Sequence, residues 1–181
     1  MKHYKYLIVG GGMTADAAVR GIRERDEHGS IGMISSETEM PYSRPPLTKG
    51  MWKGRPFEKI WCGTDKYNVD FHLGCTVVKI ETAGKCVRDL EGDEYGYDKL
   101  LLATGGSTVR LPFGSDDIIY YRTLKDYQRL RALTEHCERF LVIGAGFVGS
   151  EIAAALRMAG KQVSMVFHGN SIGENIYPSD L

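Results

Sequence analysis

Tyr6-Leu7-Ile8-Val9-Gly10-Gly11-Gly12-Met13-Thr14-Ala15 decides the fold of this chain. The first four residues are apolar and suit a buried parallel strand. Gly10, Gly12 and Ala15 then form a G-x-G-x-x-A turn. Residues 16–27 carry a helical pattern, with Ala17, Ala18, Gly21 and Ile22 as its inner face. A second strand follows over residues 31–35, and Glu37 stands just past it. Each part has a physical job. Gly10 allows a sharp turn from strand to helix, Gly12 leaves room for a pyrophosphate, and Ala15 keeps the helix close to the strand. The helix N-terminus offers unpaired N–H groups and a positive dipole end to the phosphates. Glu37 sits about 20 residues beyond the turn, where a carboxylate can accept hydrogen bonds from ribose hydroxyls. A glycine turn without a ligand is the competing reading; the ordered strand, turn, helix, strand and acid weigh against it.

The same unit recurs. Residues 140–143 read as a buried strand running into Gly144-Ala145-Gly146-Phe147-Val148-Gly149, a full G-x-G-x-x-G. An alanine-rich helix over 152–159 ends at Gly160, and a strand follows over 162–167. No acid stands directly after this strand. His168-Gly169-Asn170 occupies the place, with Glu174 further on and no arginine for a 2′-phosphate. NADH and NADPH therefore stay equally open. Two nucleotide units on one chain point to transfer between two nucleotides.

Between the units lies Met40-Pro41-Tyr42-Ser43-Arg44-Pro45-Pro46-Leu47-Thr48-Lys49-Gly50-Met51-Trp52-Lys53-Gly54. Pro45-Pro46 can open a short helix, since proline is tolerated in a first turn. Arg44 and Lys49 are then cations fixed on a stiffened loop; a solvated surface loop is the alternative. This segment resembles the flavin-site loop of FAD-dependent pyridine nucleotide-disulfide oxidoreductases, in the ferredoxin/rubredoxin reductase branch. The resemblance runs over nearly the whole chain. It implies an α/β protein, with a Rossmann-like FAD-binding domain of three layers including an antiparallel meander. The start of a second, NAD(P)-binding Rossmann-like unit would follow.

The resemblance also implies roles. Gly10, Gly12, Ala15 and Glu37 would seat FAD, with Arg44 beside it and Lys49 near the reactive flavin N5 edge. Val78 joins the cofactor-binding set. Ala103-Thr104-Gly105, after a strand over 98–102, resembles the second FAD motif. Arg122 matches an arginine that approaches FAD, although a salt-bridged surface arginine is an equal reading. Gly144, Gly146, Phe147, Val148 and Gly149 would hold NAD(P)H, with Phe147 near its ring. Glu151, in the first turn of its helix, is expected to pair with Lys49, because a poorly hydrated lysine beside a redox centre needs a counter-charge. An acid that merely complements the helix dipole is the bland alternative.

Disulfide reductases of this superfamily carry a cysteine pair after the loop. Here Cys62 stands alone, and Cys62, Cys75, Cys86 and Cys137 form no redox or metal spacing. No disulfide and no metal site is expected. The implied activity is hydride transfer from NAD(P)H to FAD, then electron transfer to a ferredoxin or rubredoxin. Rival readings are an NADH oxidase or peroxide reductase, which would need a cysteine near Ser43, and a flavin-binding interaction protein like apoptosis-inducing factor.

The remaining sequence fits around these units. Residues 68–97 alternate as a small antiparallel meander, in which His72 reads as a strand histidine. Residues 58–67 suggest a short helix, residues 118–121 a short strand and residues 122–136 a helix. The expected domains are 1–113 for FAD, a connector over 114–137, and 138–181 as the beginning of the NAD(P)H domain. The family's later segments do not follow Leu181, and this stretch alone is not expected to turn over. Lysine plus arginine equal aspartate plus glutamate at 23 each, without charge blocks, which argues against nucleic acid or an anionic membrane as partner. No long apolar segment occurs, so a cytoplasmic location is expected. A homodimer is one option for the oligomeric state.

Overall fold

The computed structural model describes residues 1–174; residues 175–181, the end of the expected third segment, lie outside the described part. The chain divides into two compact units, Met1–Ser43 with Ile60–Ser107, and Arg44–Lys59 with Thr108–Leu181. This division differs from the boundaries expected at 113 and 137. The loop of residues 44–59 groups with the second unit, although it interrupts the first in sequence.

In the first unit, β1 (Lys2–Val9) leads through the glycine turn into α1 (Met13–Arg23) and on to β2 (Ile31–Ser35). β3 (Asp70–Leu73), β4 (Val77–Glu81), β5 (Cys86–Asp89) and β6 (Glu94–Leu102) complete one sheet in the order β3-β2-β1-β6-β5-β4. β1 pairs in parallel with both β2 and β6, and β2 with β3. Adjacent residues of the central strands serve opposite faces. Ile8, Ile31 and Met33 pack with Ala15 and Val19 of α1, while Leu7 and Ile34 pack with Tyr4, Val87, Tyr95 and Tyr97. Both faces of these strands are covered, which is why they read as continuous apolar runs.

Several expectations change here. Residues 70–73 do not belong to the meander: β3 extends the parallel sheet beside β2. The pieces at 95–97 and 98–102 are one strand, β6, whose first half pairs antiparallel with β5 while its length runs parallel to β1. Its last residues are less buried than an apolar run suggests, Leu102 being 56% exposed. α1 stops at Arg23 rather than near residue 27. Asp26 accepts the Gly29 N–H and the Tyr6 hydroxyl, drawing the chain into a turn. The helix suggested over 58–67 is two 3-10 turns, Phe57–Ile60 and Thr64–Tyr67.

The second unit holds α2 (Leu124–Thr134), β7 (Arg139–Ile143), α3 (Phe147–Met158) and β8 (Gln162–Val166), with β7 and β8 parallel. α2 begins with a capping box: Thr123 accepts the Asp126 N–H and Asp126 accepts the Thr123 N–H. Residues 118–121 are not a strand. Ile119 and Tyr121 instead pack, from a loop, on Leu130, Ile152 and Leu156. β7 and β8 are not buried on both faces either. Phe140, Val142 and Val163 meet that core, whereas Leu141, Ile143 and Val166 are about half exposed.

The 3-10 turns Pro45–Thr48 and Gly50–Lys53 join this unit for identifiable reasons. Leu47 is fully buried, and Trp52 packs on the same core as Ile152 and stacks edge-on against Tyr127. Both Trp52 Nε1 (2.8 Å) and the Tyr121 hydroxyl (2.6 Å) donate to the Leu47 carbonyl. A carbonyl with two side-chain donors holds the following residues, Thr48 and Lys49, in place.

Candidate functional site: two glycine turns and a charge pair

In the first unit, the carboxyl ends of three adjacent parallel strands meet. β1 ends at Gly10, β2 runs towards Glu37, and β6 runs into Ala103-Thr104-Gly105. This edge is where open α/β sheets bind ligands. Gly10 has φ +123°, and a Cβ there would lie 2.1 Å from the Ala103 carbonyl oxygen, so the turn and the end of β6 require glycine. The Ala103 N–H donates to Val9 O (2.8 Å) and locks the two segments together. Ala15 is fully buried against the sheet. Gly12 caps α1 with extended backbone and no side-chain cap, and no described atom lies within 4 Å of where its Cβ would be. Space, uncapped N–H groups and a helix N-terminus coincide, which fits a bound phosphate group.

Glu37 is half buried, and one carboxylate oxygen accepts the Tyr42 hydroxyl at 2.6 Å. Tyr42 is buried and packs edge-on against Trp61. The sequence reading missed Tyr42 as an orienting group; a tyrosine directly after Pro41 in a proline-rich loop gave no signal of its own. It also missed Ser35, whose Oγ lies 2.5 Å from a Cβ built on Gly11 and accepts the Glu37 N–H. Thr104 and Gly105 are exposed. Val78 lies apart from these groups in the sheet order. It is 58% exposed on the edge strand β4, where pairing with β5 slips by a residue.

The acid in the first turn of α1 is structural. Asp16 is buried, pairs with Arg20 one turn on (2.9 Å), and accepts the Thr64 hydroxyl at 2.7 Å. Arg20 also donates to the Tyr67 hydroxyl, tying α1 to the Thr64–Tyr67 turn.

In the second unit, Gly144 has φ +103°, and Gly146 caps α3 with extended backbone and no side-chain cap. A Cβ on Gly149 would meet the Gly144 carbonyl oxygen at 2.1 Å, so the helix lies close on its own turn. Phe147 and Val148 are both about half exposed beside this turn. Lys49 and Glu151, expected to pair, do so at 2.8 Å between Nζ and Oε2. The same Oε2 accepts the Thr48 hydroxyl at 2.6 Å. Burial pushes the Glu151 carboxyl up, but the Lys49 and Thr48 donors outweigh it and hold it below the usual glutamate range. Arg44 donates to the Arg122 carbonyl oxygen at 3.2 Å, and the Arg122 N–H goes to Asp126. Both arginines therefore stand on the same unit as Lys49.

All four cysteines are free thiols. The described residues contain no metal-binding cluster, and none of their helices is long and apolar enough to cross a membrane.

The sequence pattern of the pyridine nucleotide-disulphide oxidoreductases matches residues 4–180. The chain belongs to this family. It is 35% identical over 174 residues to the 5,5'-dehydrodivanillate O-demethylase ferredoxin reductase subunit of a Sphingobium species, covering 92% of this chain and 42% of that protein. It is 30% identical to the mitochondrial apoptosis-inducing factor 1 of Dictyostelium discoideum, covering 100% of this chain and 39% of the other. Putidaredoxin reductase, in its covalent complex with putidaredoxin, has the same fold at TM-score 0.85 and 26% identity, over 98% of this chain and 45% of that one. The chain thus spans less than half the length of these relatives.

Proposed function

We propose that the whole protein is an FAD-dependent NAD(P)H oxidoreductase that delivers electrons to a ferredoxin-type iron–sulfur protein. The carrying observation is the occurrence of two glycine turns of dinucleotide-binding geometry on one chain, one of them headed by the Lys49–Glu151 pair. Bound FAD would supply two-electron acceptance from a reduced nicotinamide and one-electron release to an acceptor. The chain's residues supply the rest. The α1 N-terminus and Gly12 hold the pyrophosphate, and Glu37, aimed by Tyr42, accepts from the ribose. Gly146 and the α3 N-terminus hold the second dinucleotide, with Phe147 and Val148 as its apolar neighbours. Lys49 contributes a positive charge that favours developing negative charge nearby, and Glu151 keeps that lysine in position.

Ferredoxin reductase relatives support the acceptor class. A thiol relay is disfavoured because Ser43 stands at the expected cysteine position, its N–H donating to the Ile60 carbonyl, while Cys62 has no cysteine beside it in sequence. The likeness to apoptosis-inducing factor supports a second reading, a flavoprotein that docks partners and turns over slowly.

The test has two stages. The chain, produced with excess flavin, should retain FAD visible by its absorbance, and Gly12→Leu should abolish retention. The whole protein should then be reduced rapidly by NADH or NADPH and reoxidised by added ferredoxin. Absence of flavin in both proteins sinks the proposal; flavin reduction with no reoxidation by ferredoxin selects the second reading.

A further inference from the structure

Thr48 offers one hydroxyl proton to two acceptors. The Glu151 carboxylate oxygen is 2.6 Å away, and the Pro45 carbonyl, one 3-10 turn back, is 3.3 Å away. The shorter contact is to an ionised group and is the stronger one. Glu151 Oε2 therefore holds two donors at once, the Thr48 hydroxyl and the Lys49 ammonium. These donors differ in kind. Lys49 reaches Glu151 on a long side chain that is 56% exposed, so its ion pair competes with water and carries rotamer entropy. Thr48 is β-branched and belongs to the Pro45–Thr48 turn, which Pro45-Pro46 stiffens and the buried Leu47 anchors. Its hydroxyl is the pre-positioned partner.

Resting on the function proposed above, we infer that Thr48 is a positioning residue. Its hydroxyl fixes the Glu151 carboxylate at the head of α3, so that the more mobile Lys49 finds its counter-charge in one place. The Pro45 carbonyl gives that hydroxyl a second acceptor, so it remains hydrogen-bonded when Glu151 gains a proton or turns towards a ligand. Glu151 can thus change state without leaving Thr48 unsatisfied. Serine retains the hydroxyl; valine retains the shape and lacks it.

The experiment follows the Glu151 carboxyl by carbon NMR across a pH titration of the 181-residue chain, assigned with Glu151→Gln. Thr48→Val should raise the titration midpoint, because a charge-stabilising donor is gone, and Thr48→Ser should restore it. In the whole protein, the acid limb of flavin reduction by reduced nicotinamide should move upward with Thr48→Val and return with Thr48→Ser. An unchanged midpoint in Thr48→Val overturns the inference. So does an equal rise in both variants, which would assign the effect to disturbance of the turn rather than to loss of the hydroxyl. If Thr48→Val does not fold, Thr48→Ala takes its place. If neither folds, the wild-type chain decides, since a midpoint at or above the ordinary glutamate value is incompatible with the clamp. The titration reads the clamp without any flavin, so it can succeed where the functional reading fails, and the reverse.

Discussion

At Gly10 and Gly144 the backbone makes the same left-handed excursion, φ +123° and +103°, and each following helix is capped by an extended glycine. The surroundings differ. A methyl on Gly10 would strike the Ala103 carbonyl at 2.1 Å, because β6 runs beside β1 and ends there. A methyl on Gly144 would meet no described atom within 4 Å. At the third motif position the order reverses. Ala15 is buried with its methyl accommodated, whereas Gly149 admits none. The acids beside the two turns also differ: Asp16, in the first turn of α1, is enclosed by Arg20 and Thr64, while Glu151, which falls just past the first turn of α3 rather than within it as expected, is 28% exposed and held by Lys49 and Thr48. One local motif therefore serves as a sealed structural joint in the first unit and as an open, polar one in the second.

The largest expected effect separates the two turns. Gly10→Ala adds an atom against backbone that cannot move aside, and should cost about 4 kcal/mol or more, enough to unfold the first unit. Gly144→Ala meets only the backbone penalty of its φ, about 1–2 kcal/mol. Urea denaturation followed by circular dichroism measures both; equal losses would mean that β6 does not clamp the first turn.

The acids give the next contrast. Asp16→Ala removes an acceptor from a buried hydroxyl and from a partly buried arginine, for about 2–3 kcal/mol. Glu151→Ala should cost under about 1 kcal/mol, since Lys49 can turn to water. The same denaturation curves decide, and a larger loss at Glu151 would reverse the assignment of structural and functional acid.

A pH effect between neutral and mildly acid pH should mark the first unit. His72 on β3 hydrogen-bonds the Tyr4 hydroxyl at 2.7 Å and packs edge-on against Tyr95. Burial lowers its pKa, although Asp70, with Asp89 and Asp93 further off, pulls the other way and Lys2 adds to the lowering. The folded state thus prefers neutral His72. Its contribution is complete above the ordinary histidine value and is lost as pH falls through the lower folded value. The urea midpoint should drop between about pH 7.5 and about pH 5.5, and His72→Gln should flatten that drop. A slope that survives the substitution would move the titrating group elsewhere.

The smallest effect concerns Glu37. Tyr42→Phe should leave stability within about 1 kcal/mol and weaken FAD retention severalfold, by removing a hydrogen bond that aims the Glu37 carboxylate. Unchanged retention, measured by equilibrium dialysis of the chain, would remove Tyr42 from the site.

Much of this was legible before any coordinates. Both glycine turns, their helices and flanking strands follow from residues whose demands are local, whereas the pairing of Lys49 with Glu151, 102 residues apart, was expected from the family resemblance. Gly10 and Gly144 answer to a backbone angle, and Pro45 and Pro46 to a fixed φ. Other features depended on which segments come together across the chain. The placement of β3 beside β2, and the continuity of β6 through two kinds of pairing, arise from distant strands that no local pattern names. The burial of Asp16 depends on Thr64, and the aim of Glu37 on Tyr42. Thr48 acquires its partner only because Leu47 and Trp52 bury the loop of residues 44–59 within the second unit. Sequence by itself determined the turns, caps and cofactor-type motifs, because steric and hydrogen-bonding needs within a few residues dictate them. Only the tertiary structure decided which acid is sealed and which stays open, because burial is a property of neighbours that the chain brings together after folding.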